Sequence, residues 1–214
     1  CIRDRCKLAH WGLLEEIPSL MGIPMQDCTT LASSKYRAIK AKSKLDMRVF
    51  HAVEAADRVL EAIALMQAPI EPASQSLGDF ENVLGIDAGE AVLLASLVAA
   101  PDTRLLTGDK RALRALAALP PEAREPFHGR VICVERIIEA GLNQWGLDVL
   151  RSKVCPWKKI DVAVNIIMGS RCDAGEASVR EALASYIGEL TSLCDPSLIL
   201  SLIHISEPTR QEAI

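Results

Sequence analysis

The spacing of apolar residues predicts a chain in which helices alternate with short buried strands. Apolar side chains that recur every three or four positions predict helices over 8–21, 46–67, 86–100, 110–119 and 135–144, with a basic helix over 31–44. Apolar runs at 103–107 and 130–134 predict two buried strands, and 25–30 is a third, short strand candidate. Each of the two apolar runs leads directly into one of the predicted helices.

This alternation favours an α/β fold, in three layers (α/β/α), with a mainly parallel sheet. Strand signals fade beyond residue 146, where 147–154, 159–168 and 173–193 predict helices. The expected organisation is therefore an α/β domain over 6–145 and a helical C-terminal extension over 146–196.

Both ends of the chain resemble foreign sequence. Residues 200–210 resemble the peptide obtained by translating common sequencing-adapter DNA, and residues 1–5 resemble another such product. We therefore predict that 1–5 and 197–214 are non-native segments, and Asp4 is left out of the candidate site. An ordinary apolar strand at 198–205 is the alternative.

Composition narrows the function only a little. The 214 residues carry a net charge of −4, which excludes a globally basic nucleic-acid coat but not a local basic patch. The seven cysteines form no C-x-x-C pair, so scattered thiols are expected rather than a zinc knuckle or a disulfide framework. No uncharged apolar stretch reaches 18 residues, so we expect no membrane span and a cytoplasmic location.

Three acidic residues form the main candidate for chemistry. Asp109 directly follows a predicted buried strand, where ligands of parallel α/β sheets bind. Asp87 and Glu90 lie three residues apart at the start of a predicted helix and share one face of it. Clustered carboxylates repel each other unless a cation screens them, and Mg²⁺ or Mn²⁺ binds through oxygen ligands alone. The pattern therefore indicates a divalent-metal site that activates water for attack on a phosphodiester.

Helix capping is the alternative explanation of the same residues. Asp87 followed by Glu90 is also a capping box, and the same pentapeptide recurs at 173–177. Asp109 is equally suited to cap the helix that follows it.

The stretch 85–116 resembles the core of a PIN domain. It contains Gly-Glu-Ala at a helix start, an apolar helix and then a short strand ending in Thr107-Gly-Asp109-Lys. The resemblance implies a three-layer α/β/α fold and a Mg²⁺- or Mn²⁺-dependent ribonuclease, in many members the toxin of a toxin–antitoxin pair. It makes Asp109 and Glu90, with Asp87 beside them, catalytic and metal-binding candidates, and Thr107 the hydroxyl residue before the strand-end acid.

The chain also departs from the family pattern. The family's first acid ends an opening strand that 6–145 lacks, and a further acid near the second or third helix has no clear match, so we expect impaired activity. Basic residues placed to bind RNA phosphates are Lys35, Arg37, Lys40, Lys110 and Arg111, although each is also typical of a solvated helix face.

The partners expected from the resemblance are an RNA substrate and an antitoxin-like protein, and a homodimer is a further expectation. The alternative function is a catalytically inactive PIN-like module that binds RNA or protein.

Overall fold

The computed structural model of the chain describes residues 2–43, 50–68 and 74–200 and is built mostly from helices. The helices are α1 (Ile2–His10), α2 (Ile17–Met21), α3 (Ala32–Ser43), α4 (Val53–Leu65), α5 (Ser74–Glu81), α6 (Ala88–Ala99), α7 (Lys110–Ala117), α8 (Pro121–Arg124), α9 (Val134–Trp145), α10 (Leu147–Val154), α11 (Val162–Ile167) and α12 (Glu176–Leu193). Short 3₁₀ turns lie at Met25–Asp27, Glu125–Phe127, Cys155–Ile160 and Pro196–Leu198.

Two short strands pair in parallel. β1 (Leu105–Leu106) lies beside β2 (Val131–Ile132), with Leu105 opposite Val131. Each strand leads into a helix, β1 into α7 and β2 into α9, so the carboxyl ends of both strands and the first turns of both helices lie at one edge. Both predicted strands are present and parallel, but each is only two residues long and β1 is half-buried rather than buried.

The prediction of a three-layer α/β/α fold with a mainly parallel sheet is wrong. In the described part of the chain the sheet has only two strands of two residues each, and strand-like pairing elsewhere is limited to two single bridges, Thr29 with Gln67 and Val131 with Ile199. The candidate strand at 25–30 is a 3₁₀ turn over Met25–Asp27. A larger sheet needs further strands beside these two to pair their backbone N–H and C=O groups. The alternation of helices and strands along the chain does not by itself provide such strands.

The bounds of the N-terminal helices differ from those that the apolar periodicity predicts. The single helix predicted over 8–21 is broken between α1 and α2, where Gly12 adopts a φ of +60°. The predicted helix over 46–67 is seen as α4, and residues 44–49 lie outside the described part. By contrast α3, α6 and α10 match the predicted helices over 31–44, 86–100 and 147–154 closely.

The buried apolar residues form two clusters, and α12 packs into both. Val179 and Leu183 of this helix belong to the cluster that contains Trp11, whereas Ile187 and Leu190 belong to the cluster that contains Phe127. The helical segment over 146–196 therefore shares its core with the rest of the chain.

The described parts of both terminal segments are also packed. Asp4 and Leu198 are buried, and the Leu200 N–H donates to the carbonyl of Val131 at 2.8 Å. The non-native origin of 1–5 and 197–214 stays a prediction, and 201–214 lie outside the described residues.

One disulfide departs from the expectation of scattered thiols. Cys155 and Cys172 are bonded and close a segment with a sequence separation of 17. Inside this segment the buried Lys158 donates from Nζ to the carbonyls of Gly169 and Ser170, at 2.6 Å each. The disulfide and the hydrogen bonds of Lys158 therefore both hold this segment together.

Across residues 2–43, 50–68 and 74–200, every helix is too short or too polar to cross a lipid bilayer.

Candidate acidic site at the ends of the two strands

Asp87 and Glu90 form a complete capping box at the start of α6. The Glu90 N–H donates to Asp87 Oδ1 at 2.9 Å, and the Asp87 N–H donates to Glu90 Oε2 at 2.8 Å. The second copy of the pentapeptide does not repeat this arrangement, because α12 begins at Glu176 with Gly175 as its N-cap. The capping explanation is confirmed for Asp87 and Glu90.

Asp109 likewise caps α7. Its Oδ1 accepts from the backbone N–H of Arg111 at 2.9 Å and of Ala112 at 3.3 Å. Oδ1 therefore stabilises the start of α7, whereas Oδ2 faces the Arg111 guanidinium.

Glu90 and Asp109 nevertheless converge, and Arg111 lies between them. Arg111 Nη2 is 3.7 Å from Glu90 Oε2 and 3.9 Å from Asp109 Oδ2. Because both oxygens contact one nitrogen, they are less than about 8 Å apart, a gap that one hydrated divalent cation spans. Burial raises the pKa of Glu90, and the charges of Asp87 and Asp109 raise it further.

Asp4 joins this edge of the structure. Its side chain is almost fully buried, and Asp4 Oδ2 accepts from the Gly108 N–H at 3.0 Å, directly beside Asp109. Asp4 is not among the predicted site residues, because the opening residues resemble adapter sequence. The signal that could have found it is helical spacing, because Asp4 lies one turn before the buried Leu8 on the same face of α1.

Lys7, which the sequence analysis did not single out, contacts Asp4 and brings Asp161 and Glu135 into the same neighbourhood. Lys7 Nζ is 3.7 Å from Asp4 Oδ1 and 2.7 Å from Asp161 Oδ2. Burial lowers the pKa of Lys7, but the hydrogen bond and charge of Asp161, helped by Asp4 and Glu135, outweigh burial and leave the pKa above its usual value. Burial also raises the pKa of Glu135, which follows β2.

Thr107 is buried at the end of β1, and its Oγ1 accepts from the Asp109 N–H at 3.2 Å. Its hydroxyl therefore supports the backbone of Asp109. A small, mainly apolar pocket lies between Thr107, Glu90 and leucines of α6 and α7.

The predicted phosphate-binding residues fall into two groups. Lys110 forms an ion pair with Glu189 at 2.8 Å, and Arg111 bridges the acids. Lys35, Arg37 and Lys40 are exposed on α3.

Helix α3 begins next to the acidic residues. Leu31, just before α3, lies so close to Gly89 that a Cβ there would be 3.0 Å from it. Arg5, the neighbour of Asp4, donates to Ser34 Oγ at 2.8 Å. The start of α3 is thus adjacent to the acidic site.

The donor set fits a hard divalent cation by chemistry, since it consists of carboxylate oxygens. No group of three or more His, Cys, Asp or Glu side chains within the described ranges is gathered tightly enough to hold an ion as placed. The positive charge between Glu90 and Asp109 is that of Arg111, whose side chain is 60% exposed.

No family model, curated protein or solved structure matches the chain. The resemblance to PIN domains therefore stays a prediction.

Proposed function

We propose that the chain is a ribonuclease dependent on Mg²⁺ or Mn²⁺, with its site at the carboxyl ends of β1 and β2. One observation supports the proposal: Glu90 and Asp109 both contact Arg111, and Asp4 accepts a hydrogen bond from Gly108, the residue before Asp109, although the three acids come from separate segments. Parallel strands place ligand sites at this edge. An antitoxin-like partner, a homodimer and a cytoplasmic location stay predictions.

Each residue has a distinct part in the proposal. Asp109 and Glu90 would hold the cation, and Asp87 orients Glu90 through the capping box. Asp4 would supply a further carboxylate of the site, so this proposal takes Asp4 as a native residue, in place of the prediction that 1–5 are non-native. When bound, the cation supplies Lewis acidity and a more acidic water for attack on phosphorus.

The basic residues bind substrate. Arg111 is exposed enough to leave the acids, and its guanidinium then pairs with a phosphate. Lys110 flanks the site, while Lys35, Arg37 and Lys40 contact phosphates farther along the RNA, so binding weakens as salt rises.

The test is cleavage of a fluorescent single-stranded RNA with and without Mg²⁺ or Mn²⁺. We expect Asp109→Asn and Glu90→Gln to lose cleavage by about a hundredfold or more. Asn still caps a helix and Gln still completes a capping box, so both variants keep the fold. Glu176→Gln is the matched control, because it alters the same pentapeptide at the second copy. Divalent-dependent cleavage that persists in Asp109→Asn would refute the site.

A second candidate function is binding without cleavage. Arg111 between Glu90 and Asp109, with both acids engaged in capping, favours it. Salt-dependent RNA binding with no divalent-dependent cleavage in the unmodified chain would support this candidate.

A further inference from the structure

Lys7 connects two regions of the chain that are far apart in sequence. Its Nζ lies between Asp4 of the same helix and Asp161, which precedes α11. The three side chains are poorly accessible to solvent, with exposures of 28% for Lys7, 16% for Asp161 and 5% for Asp4. An ion pair at this depth is screened less than one at the surface.

Each carboxylate divides its two oxygens between a backbone N–H and Lys7. Asp161 Oδ1 caps α11 by accepting from the Val164 N–H at 3.0 Å, and Oδ2 contacts Lys7. Asp4 Oδ2 accepts from the Gly108 N–H, and Oδ1 faces Lys7. A continuous polar chain thus runs from the start of α11 to the residue beside Asp109.

The far end of this chain is well anchored. Asp161 lies in the segment closed by the disulfide between Cys155 and Cys172. The indole N–H of Trp11 donates to the Trp157 carbonyl at 3.3 Å, which ties the same segment to the end of α1. Asp161 therefore has a fixed position relative to Lys7.

We propose that Lys7 and Asp161 are positioning residues for the proposed site, holding the Asp4 carboxylate against the Gly108 N–H at the end of β1. The inference rests on the proposed function for its catalytic meaning. It also gives the C-terminal helical segment a role at the site, since Asp161 belongs to that segment. Without the Lys7 charge the buried Asp4 carboxylate loses its counter-ion and turns toward water.

The test uses the Gly108 amide as a reporter that needs no activity. The chain has 12 glycines, so protein labelled with ¹⁵N-glycine gives a simple amide spectrum. The Gly108 signal is the one that disappears in Gly108→Ala. A hydrogen bond to a carboxylate shifts this resonance and slows its exchange with solvent.

We expect Asp161→Asn to shift the Gly108 resonance and to speed its exchange by on the order of tenfold, because Lys7 loses the contact that fixes it beside Asp4 and the hydrogen bond from Gly108 to Asp4 weakens. Asn at 161 still caps α11, so this variant removes the contact with Lys7 and leaves the helix intact. Lys7→Met gives the same effect, and Lys7→Arg restores most of the wild-type signal.

The matched control is Lys153→Met. Lys153 is also 28% exposed and pairs with Glu16 at 3.0 Å, outside the polar chain. We expect the Gly108 signal of Lys153→Met to stay at the wild-type position. An unchanged Gly108 resonance in Asp161→Asn would overturn the proposal, as would an equal shift in Lys153→Met.

Cleavage assays separate this inference from the proposed function. If the wild type cleaves RNA, Asp161→Asn lowers kcat and leaves KM unchanged, because Asp161 does not touch substrate. If the wild type does not cleave and Gly108 still shifts in Asp161→Asn, the positioning pair stands and the proposed ribonuclease function fails.

Discussion

Truncating Arg130 is expected to destabilise the protein strongly, because this one guanidinium joins several carbonyls around the two strands. It donates to the carbonyls of Thr103 at 2.8 Å, Pro126 at 2.6 Å and Leu97 at 2.8 Å, and also to the Ala100 carbonyl. Its own carbonyl accepts from the Leu105 N–H at 2.8 Å, in the pairing of β1 with β2. Arg130 therefore ties the end of α6 to the start of β1.

The size of the effect follows from these contacts. A hydrogen bond to a charged group contributes about 1.5–3 kcal/mol, but the carbonyls released by truncation partly regain water. We therefore expect Arg130→Met to lower the free energy of unfolding by about 3 kcal/mol, a large share of a typical domain's stability. Arg130→Lys is expected to lose about half as much, since an ammonium reaches fewer of these carbonyls.

The assay is urea unfolding followed by tryptophan fluorescence. Arg104→Met is the control, because Arg104 is an exposed arginine close to the same strand, and we expect a change within about 0.5 kcal/mol. If Arg130→Met is no less stable than Arg104→Met, the hydrogen bonds of the Arg130 guanidinium do not stabilise the fold, and the expected loss of stability is refuted.

Three more predictions concern pH, redox state and packing. Burial lowers the pKa of His10 to about 4 in the folded protein, whereas an unfolded histidine has a pKa of about 6.5. Between these two pH values the unfolded chain binds the proton more tightly, so the free energy of unfolding falls as pH falls from about 6.5 to about 4. We expect His10→Gln to flatten this dependence in urea unfolding at a series of pH values. A dithiol reductant that opens the bond between Cys155 and Cys172 lowers the free energy of unfolding by at most about 3 kcal/mol, and an identical urea midpoint with and without reductant would contradict this. Gly108→Ala places a Cβ 3.2 Å from Asp4 Oδ1, so we expect a lower melting temperature than for the control Gly188→Ala, whose added Cβ meets no atom within 4 Å; equal melting temperatures would contradict this.

Local patterns predicted most of the longer helices and the places of the two strands, but not α5, α8 or the break between α1 and α2. Helices α3 and α10 match their predicted ranges closely because helical periodicity depends on residues three or four apart. β1 and β2 were found because short β-branched and apolar runs stand out between helices. The capping roles of Asp87 and Asp109 are equally local.

The candidate site was predicted only in part. Glu90 and Asp109 do converge, as their helix–turn–strand spacing indicated. Asp4 was missed because its importance comes from the Gly108 N–H, 104 residues away. No motif along the chain marks a contact of that kind.

What the sequence by itself determined about this protein is its local structure: where helices begin, where short strands lie, and which acids cap helices. Only the tertiary structure decided that the sheet stops at two strands, that Asp161 reaches Lys7, and that Arg111 lies between Glu90 and Asp109. The physical reason is that helix periodicity and caps depend on neighbours within one turn, whereas sheet size and ion pairing depend on which distant surfaces the apolar clusters bring together.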